Sequence, residues 1–130
     1  MNDILYVNPK LEVRLSRLHG YGGFAKDDIY NGELLEECHH IRLAPETNVK
    51  DYVFSWPNSK EYKDVKYRAI VLGFGSIYNS SKCEETRNTV WTTEENRNLY
   101  IFKANKDIKK DEEILLYYGP RYKPTINFKE

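Results

Sequence analysis

Cysteine is scarce in this 130-residue chain: Cys38 and Cys83 stand far apart, and neither belongs to a C-x-x-C pair. The spacing gives no support to a zinc cage or a disulfide framework and predicts two reduced thiols, with no metal site. Net charge is missing too, because Lys plus Arg and Asp plus Glu are each 20 and no single-sign run occurs. Without a positive field, nucleic acid is not an expected partner. No hydrophobic run approaches the length of a bilayer span, and no charged-then-apolar leader opens the sequence. A soluble, intracellular chain without a membrane partner is the expectation. No composition shift or linker divides the sequence, which is read as a single domain over residues 1–130.

What the chain does have is tyrosine, 11 against five phenylalanines. Tyrosine combines ring area with a hydroxyl, which suits a wall that must be apolar and still place hydrogen bonds. Short β-branched or aromatic runs at Leu11 to Leu15, Leu34 to Cys38, Ala69 to Leu72, Thr89 to Thr93 and Leu99 to Ala104 alternate with turn residues and predict a mostly β fold. Asn31-Gly32 and the Gly20 to Gly23 cluster mark tight turns. The polar stretch from Pro45 to Lys66 predicts a short helical turn around Asn48 to Phe54, followed by a loop rather than more sheet. An internal echo, A-x-x-D-I-x-x-[GD]-E, begins at Ala25 and again at Ala104. It predicts two similar strand-turn-strand units, with Asp111 in the place of Gly32 because Asp visits left-handed conformations more readily than most residues.

Three segments carry the chemistry. His19-Gly20-Tyr21-Gly22-Gly23-Phe24-Ala25 follows the first strand and precedes a G-E-L-L-E-E run at Gly32 to Glu37. It fails the dinucleotide-binding fingerprint, since no helix opens after its glycines. Gly73-Phe74-Gly75-Ser76-Ile77-Tyr78-Asn79-Ser80-Ser81 resembles a G-x-x-x-N-H-S block, and Asp111-Glu112-Glu113-Ile114-Leu115-Leu116-Tyr117-Tyr118-Gly119 resembles an acidic block that ends in Tyr-Gly. In this order the three are similar to the motifs of SET-domain protein lysine methyltransferases. The resemblance spans a core of about residues 11–122 and is nearest to minimal, free-standing viral and bacterial members.

The resemblance implies a β-clip fold of several small sheets with a C-terminal pseudoknot and short helical turns. It implies an S-adenosyl-L-methionine cofactor held by Gly20, Tyr21, Gly22, Asn79 and Ser80, with Tyr118 as the catalytic tyrosine. Tyr52 and Tyr122 would line the substrate channel. A lysine-containing protein or peptide, a histone tail in the family-typical case, would be the substrate; the compartment would be nuclear if it is histone-directed, and minimal members can be homodimers. Methyl transfer to a lysine amine needs alignment, exclusion of water and a neutral amine, and the amine's ordinary pKa near ~10.4 must be lowered, so activity should rise into the alkaline range.

Two positions depart from the family pattern. Ser80 stands where the family has His, and the Pro-Asn expected after the block is replaced by Glu84-Glu85, with Asn88 reached only through a short insertion. A looser knot and weaker adenosine contacts are expected from the lost ring. The alternative reading is a catalytically degenerate SET domain that binds a protein or peptide. His39-His40 are adjacent in a predicted strand and point to opposite faces, so they do not share an ion. Trp56 and Trp91 are expected as core or loop anchors. Acidic residues such as Asp51, Glu84, Glu85 and Asp111 are candidates for attracting a basic peptide to the channel mouth.

Overall fold

The computed structural model describes residues 4–43, 53–56 and 67–119. Among these, ten short strands form in chain order: β1 (Leu11–Leu15), β2 (Tyr21–Ala25), β3 (Leu34–Cys38), β4 (His40–Leu43), β5 (Val53–Trp56), β6 (Tyr67–Val71), β7 (Asn79–Ser80), β8 (Thr89–Glu94), β9 (Leu99–Ala104) and β10 (Leu115–Leu116). They make four small sheets: the hairpin β1-β2, the three-stranded β3-β9-β8 and β4-β6-β5, and the parallel pair β10-β7. Two 3-10 turns, Gly73–Ser76 and Glu84–Thr86, punctuate the second half. No helix among the described residues is long and apolar enough to cross a membrane.

The strands expected at Leu11–Leu15, Leu34–Cys38 and Leu99–Ala104 form with those limits, and the other two differ at their ends: Tyr67–Val71 and Thr89–Glu94. The helical turn expected around Asn48 to Phe54 does not hold at its C-terminal end, where Val53 to Trp56 form β5 against β6. Phe54 lies opposite Ala69 and joins an aromatic layer, so tertiary packing overrides the local polar signal. The rest of that call, residues 48–52, lies outside the described residues.

The buried cluster takes its aromatic part from the two three-stranded sheets and extends beyond them through Leu11, Ala25, Ile29, Ile108, Ile114 and Leu116. On β9, Tyr100, Phe102 and Ala104 point inward with Ile101 and Lys103 outward, the period-two pattern of a strand with one covered face. Phe54 makes an edge contact with Trp91 at 5.0 Å between centroids, and Trp56 packs on Tyr100 at 5.3 Å. Both tryptophans thus serve as anchors, Trp56 buried and Trp91 partly so. His40 is buried and stacks on Trp56, while His39 is exposed and lies between β3 and β4; the two ring centroids are 6.0 Å apart, so the expected opposite-face strand geometry does not hold.

A break in register on β3 decides what enters this core. Leu34 lies opposite Lys103, but Glu36, not Leu35, lies opposite Phe102. This bulge turns both Leu35 and Glu36 inward, which strict alternation would forbid.

The sequence echo is a physical pair. Ile29 and Ile108 exchange both backbone hydrogen bonds, at 2.8 and 2.7 Å. The amide of Gly32 donates to the carbonyl of Ala104, and the amide of Asp111, its counterpart, donates to that of Ala25. Asp107 accepts from the Asn31 amide as Asp28 accepts from that of Lys110. Each unit completes the other about a local two-fold relation, and both turn residues have positive φ, 88° at Gly32 and 74° at Asp111.

Because nothing lies within 4 Å of a Cβ built at Gly32, a side chain there costs conformational energy alone. Gly32→Ala should lower unfolding free energy by about 1 kcal/mol. Asp111→Gly should be neutral or stabilising by a few tenths, because the exposed Asp111–Arg14 pair that it removes is worth little. Urea titrations of both variants check the pair; a large loss for Asp111→Gly would show that its side chain matters more than its backbone.

Candidate active site

Two segments far apart in sequence meet at the β7-β10 pair. Asn79 is in register with Leu115 and Ser80 with Leu116, and the Ser81 amide donates to the Leu116 carbonyl at 2.8 Å. Two strand residues on each side make a weak ladder, so side chains secure it. Asn88 donates from its amide nitrogen to the Glu113 carbonyl and accepts the Leu115 amide, both at 2.8 Å. The asparagine reached only through an insertion therefore does bind the acidic block, and Arg87 in the place of proline leaves that geometry intact. The preceding charged loop is tied by Arg87 to Glu84 at 3.3 Å.

Ser80 is also engaged. Its hydroxyl accepts the Tyr118 amide at 3.1 Å and donates to the Ser81 carbonyl at 2.9 Å. The serine thus caps the backbone of Tyr118, a contact that the expectation of a looser knot did not foresee. The Tyr118 side chain is half-buried against the core, and its hydroxyl donates to the carbonyl of Tyr78 in a short hydrogen bond.

Asn79 is 4% exposed, and both of its amide hydrogens are committed, one to Glu113 at 2.7 Å and the other to the His19 carbonyl at 3.1 Å. Its Oδ1 is left as an acceptor beside the Gly20 turn. Glu113 is fixed in turn by the Ser16 hydroxyl at 2.8 Å. Gly22 faces this group: a Cβ there would sit 2.3 Å from a Glu113 oxygen and 3.0 Å from the Asn79 amide nitrogen, so a side chain would displace the Glu113 carboxylate from its hydrogen bonds. Gly20 takes φ +47° and returns its carbonyl to the Ser16 amide. Tyr21, between Gly20 and Gly22, is 62% exposed.

Gly20, Gly22, Asn79, Ser80 and Tyr118 are therefore brought to one place, whereas Tyr52 and Tyr122 lie outside the described residues. Of the acidic candidates, Glu84, Glu85 and Asp111 are exposed, and Asp111 is paired with Arg14; Asp51 lies outside the described residues. A cavity of about 510 Å³ opens between Arg14, Leu15, Arg17, Phe24, Asp111 and Glu113. It borders Glu113, but neither Asn79 nor Tyr118 lines it.

Sequence reasoning did not single out Glu113, Glu36 or Tyr78. Glu36 is buried and accepts from the Tyr78 hydroxyl at 2.5 Å and the Phe74 amide at 3.2 Å. Desolvation pushes its carboxyl above the usual range, although the Tyr78 hydroxyl, the Phe74 amide and the Cys38 thiol oppose the shift. Burial likewise pushes the Tyr78 phenol and the Cys38 thiol up. The doublet Glu36-Glu37 on a strand was the available signal, since one of two neighbours must face inward.

A profile of the SET domain matches residues 20–119, and the chain belongs to the SET-domain family, a family of protein lysine methyltransferases. A search of curated protein sequences gave no match. Among solved structures, a proposed histone methyltransferase of Plasmodium falciparum is 27% identical, with a TM-score of 0.67 over 89% of this chain and 98% of that one. The methyltransferase domain of human PR domain-containing protein 2 is 16% identical, with a TM-score of 0.66 over 92% and 84%. A humanized Chaetomium thermophilum Polycomb Repressive Complex 2, bound to an inhibitor, is 22% identical, with a TM-score of 0.64 over 86% of this chain and 15% of that one. The last two likenesses concern the fold alone.

Two outcomes test this arrangement. Asn88→Ala should cost about 1–3 kcal/mol in urea unfolding, because it leaves the Leu115 amide and Glu113 carbonyl without their partner. For Glu36 the folded pKa exceeds the unfolded value near 4.5, so the folded state binds more protons and stability falls as pH rises above that value. Relative to the native chain, Glu36→Gln should be most destabilised in acid and improve toward neutral pH, as followed by urea midpoints; a pH-independent difference would show that this carboxyl does not titrate in that range.

Proposed function

We propose that this chain is an S-adenosyl-L-methionine-dependent protein lysine N-methyltransferase. The observation that carries the reading is the junction of β7 and β10, where Tyr118 donates to the Tyr78 carbonyl one residue before Asn79 and its open amide oxygen. The residues fit a cationic cofactor: Asn79 Oδ1 and the His19 carbonyl are acceptors, Glu113 supplies negative charge behind the amide, and Gly22 makes room for that carboxylate. Bound there, S-adenosyl-L-methionine would supply an activated methyl group on a sulfonium. Oxygen acceptors and tyrosine faces both favour such a cation.

The protein's own work is to bind, orient and keep water out. Asn79 would hold the amino-acid end of the cofactor, while the Tyr118 hydroxyl and Tyr78 carbonyl would hold the reacting lysine amine in line. Transfer requires the neutral amine, whose ordinary pKa is near ~10.4, and a dry site beside a positive charge lowers it. Turnover should therefore rise with pH into the alkaline range. The substrate is a lysine in a protein, with a histone tail the leading candidate from the likeness to a proposed histone methyltransferase. The cap from Ser80 to Tyr118 favours an active enzyme over a degenerate binding module, since the catalytic backbone is held despite the missing histidine.

Calorimetric titration with S-adenosyl-L-methionine and S-adenosylhomocysteine should give saturable one-site binding. Tyr118→Phe should then lose most turnover on lysine peptides, by about a hundredfold, while cofactor affinity stays within a few-fold. Retained turnover would remove the assignment of Tyr118; absence of binding up to millimolar ligand would favour the degenerate peptide-binding module.

A further inference from the structure

We propose that Glu36 is a positioning residue that acts on Tyr118 through the phenol of Tyr78, an inference that rests on the reading of Tyr118 as the catalytic tyrosine. Glu36 is 1% exposed, and among the described residues no basic side chain pairs with it. A carboxyl buried without a cation opposes folding unless hydrogen bonds compensate it. Beside the Cys38 thiol on its own strand, its hydrogen bonds reach one short segment, the Phe74 amide at 3.2 Å and the Tyr78 hydroxyl at 2.5 Å. One carboxyl thus pins the two ends of the stretch that leads into Asn79.

The Tyr78 ring lies in a narrow slot. A Cβ on Gly23 would fall 2.6 Å from it, and Phe102 meets it edge-on at 5.4 Å between centroids. Phenylalanine would fill the same slot, so the hydroxyl is needed only to meet Glu36. Apolar walls fix the plane of a ring but leave it free to slide by tenths of an ångström along that plane, whereas a hydrogen bond at its far end fixes the depth. Depth at Tyr78 is what sets the place of its carbonyl, the acceptor for the Tyr118 hydroxyl. The β3 bulge that turns Glu36 inward is therefore connected to the reacting hydroxyl by two hydrogen bonds and one residue. Bulges beside active sites re-aim side chains in this way.

The test uses the full chain labelled with [13Cζ]tyrosine, with the Tyr118 resonance assigned by its loss in Tyr118→Phe. Steady-state methylation of lysine peptides and calorimetric cofactor affinity are measured on the same samples. Tyr78→Phe and Glu36→Gln should each move the Tyr118 resonance and lower kcat by about tenfold or more, while KM and cofactor affinity stay within about threefold. The double variant should lose no more than Tyr78→Phe alone, because Glu36 acts through that phenol. An unmoved resonance with native kcat in Tyr78→Phe overturns the proposal, as do losses that simply add. Should Glu36→Gln fail to fold, Tyr78→Phe, which keeps the ring in its slot, decides alone. If the native chain shows no turnover on any lysine peptide, the resonance separates the two ideas: a shift keeps the positioning role and removes the methyltransferase reading, and no shift removes the positioning role.

Discussion

The mutual pairing of the two echoed turns is the constraint on which the molecule depends. Residues 25–33 and 104–112 exchange backbone hydrogen bonds at Ile29 and Ile108, with Ala25 and Ala104 buried on either side. Four strands meet this junction: β2 runs in and β3 runs out on one side, while β9 runs in and the approach to β10 runs out on the other. Their start points and directions follow from one another. The acidic block can reach β7 only because Asp111 leaves its turn where Gly32 does in the other unit.

From that junction the site is assembled by small polar contacts. The β7-β10 ladder has two residues on each side, and Asn88, Ser80 and Asn79 supply the hydrogen bonds that so short a ladder lacks. Glycine has two different tasks nearby. At Gly20 a positive φ is required, whereas at Gly22 the requirement is space for Glu113. Glu113 then orients Asn79, so a carboxylate to which the motifs gave no role of its own determines which end of that amide is presented.

The aromatic layer between the two larger sheets gives this polar assembly a rigid back wall. Phe54, Trp56, Trp91, Tyr100 and Phe102 pack edge-on or tilted at 5 to 6 Å, distances at which such rings attract. Arg42 covers Trp56, with its guanidinium 4.8 Å from the ring, and so closes the layer where it would meet solvent. Tyr78 belongs to the same layer through Phe102 but carries its hydroxyl to a carboxyl instead of to water. The core and the site thus share one side chain.

Much of this was present in the order of residues. Strand positions such as Leu99 to Ala104 followed from alternation, the likeness of the two turns from the repeated A-x-x-D-I pattern, and the places of Gly22, Asn79 and Tyr118 from three motifs in family order; that the two turns pair with each other, while β2 pairs with β1 and β3 with β9 instead of forming a hairpin, did not. Alternation and turn chemistry are local, and a chain displays them without knowing its partners. The sequence by itself could not determine that Val53 to Trp56 join a sheet, because that depends on Ala69 lying opposite Phe54. Nor could it place Ser80 against the Tyr118 amide or Asn88 across the acidic block, contacts between residues 38 and 27 positions apart. The clearest case is Glu36. Period-two reasoning cannot say which residue of a Glu-Glu doublet is buried when a bulge adds one residue to one strand only, since the extra residue is defined by the partner strand; tertiary structure alone turned that carboxyl toward Tyr78.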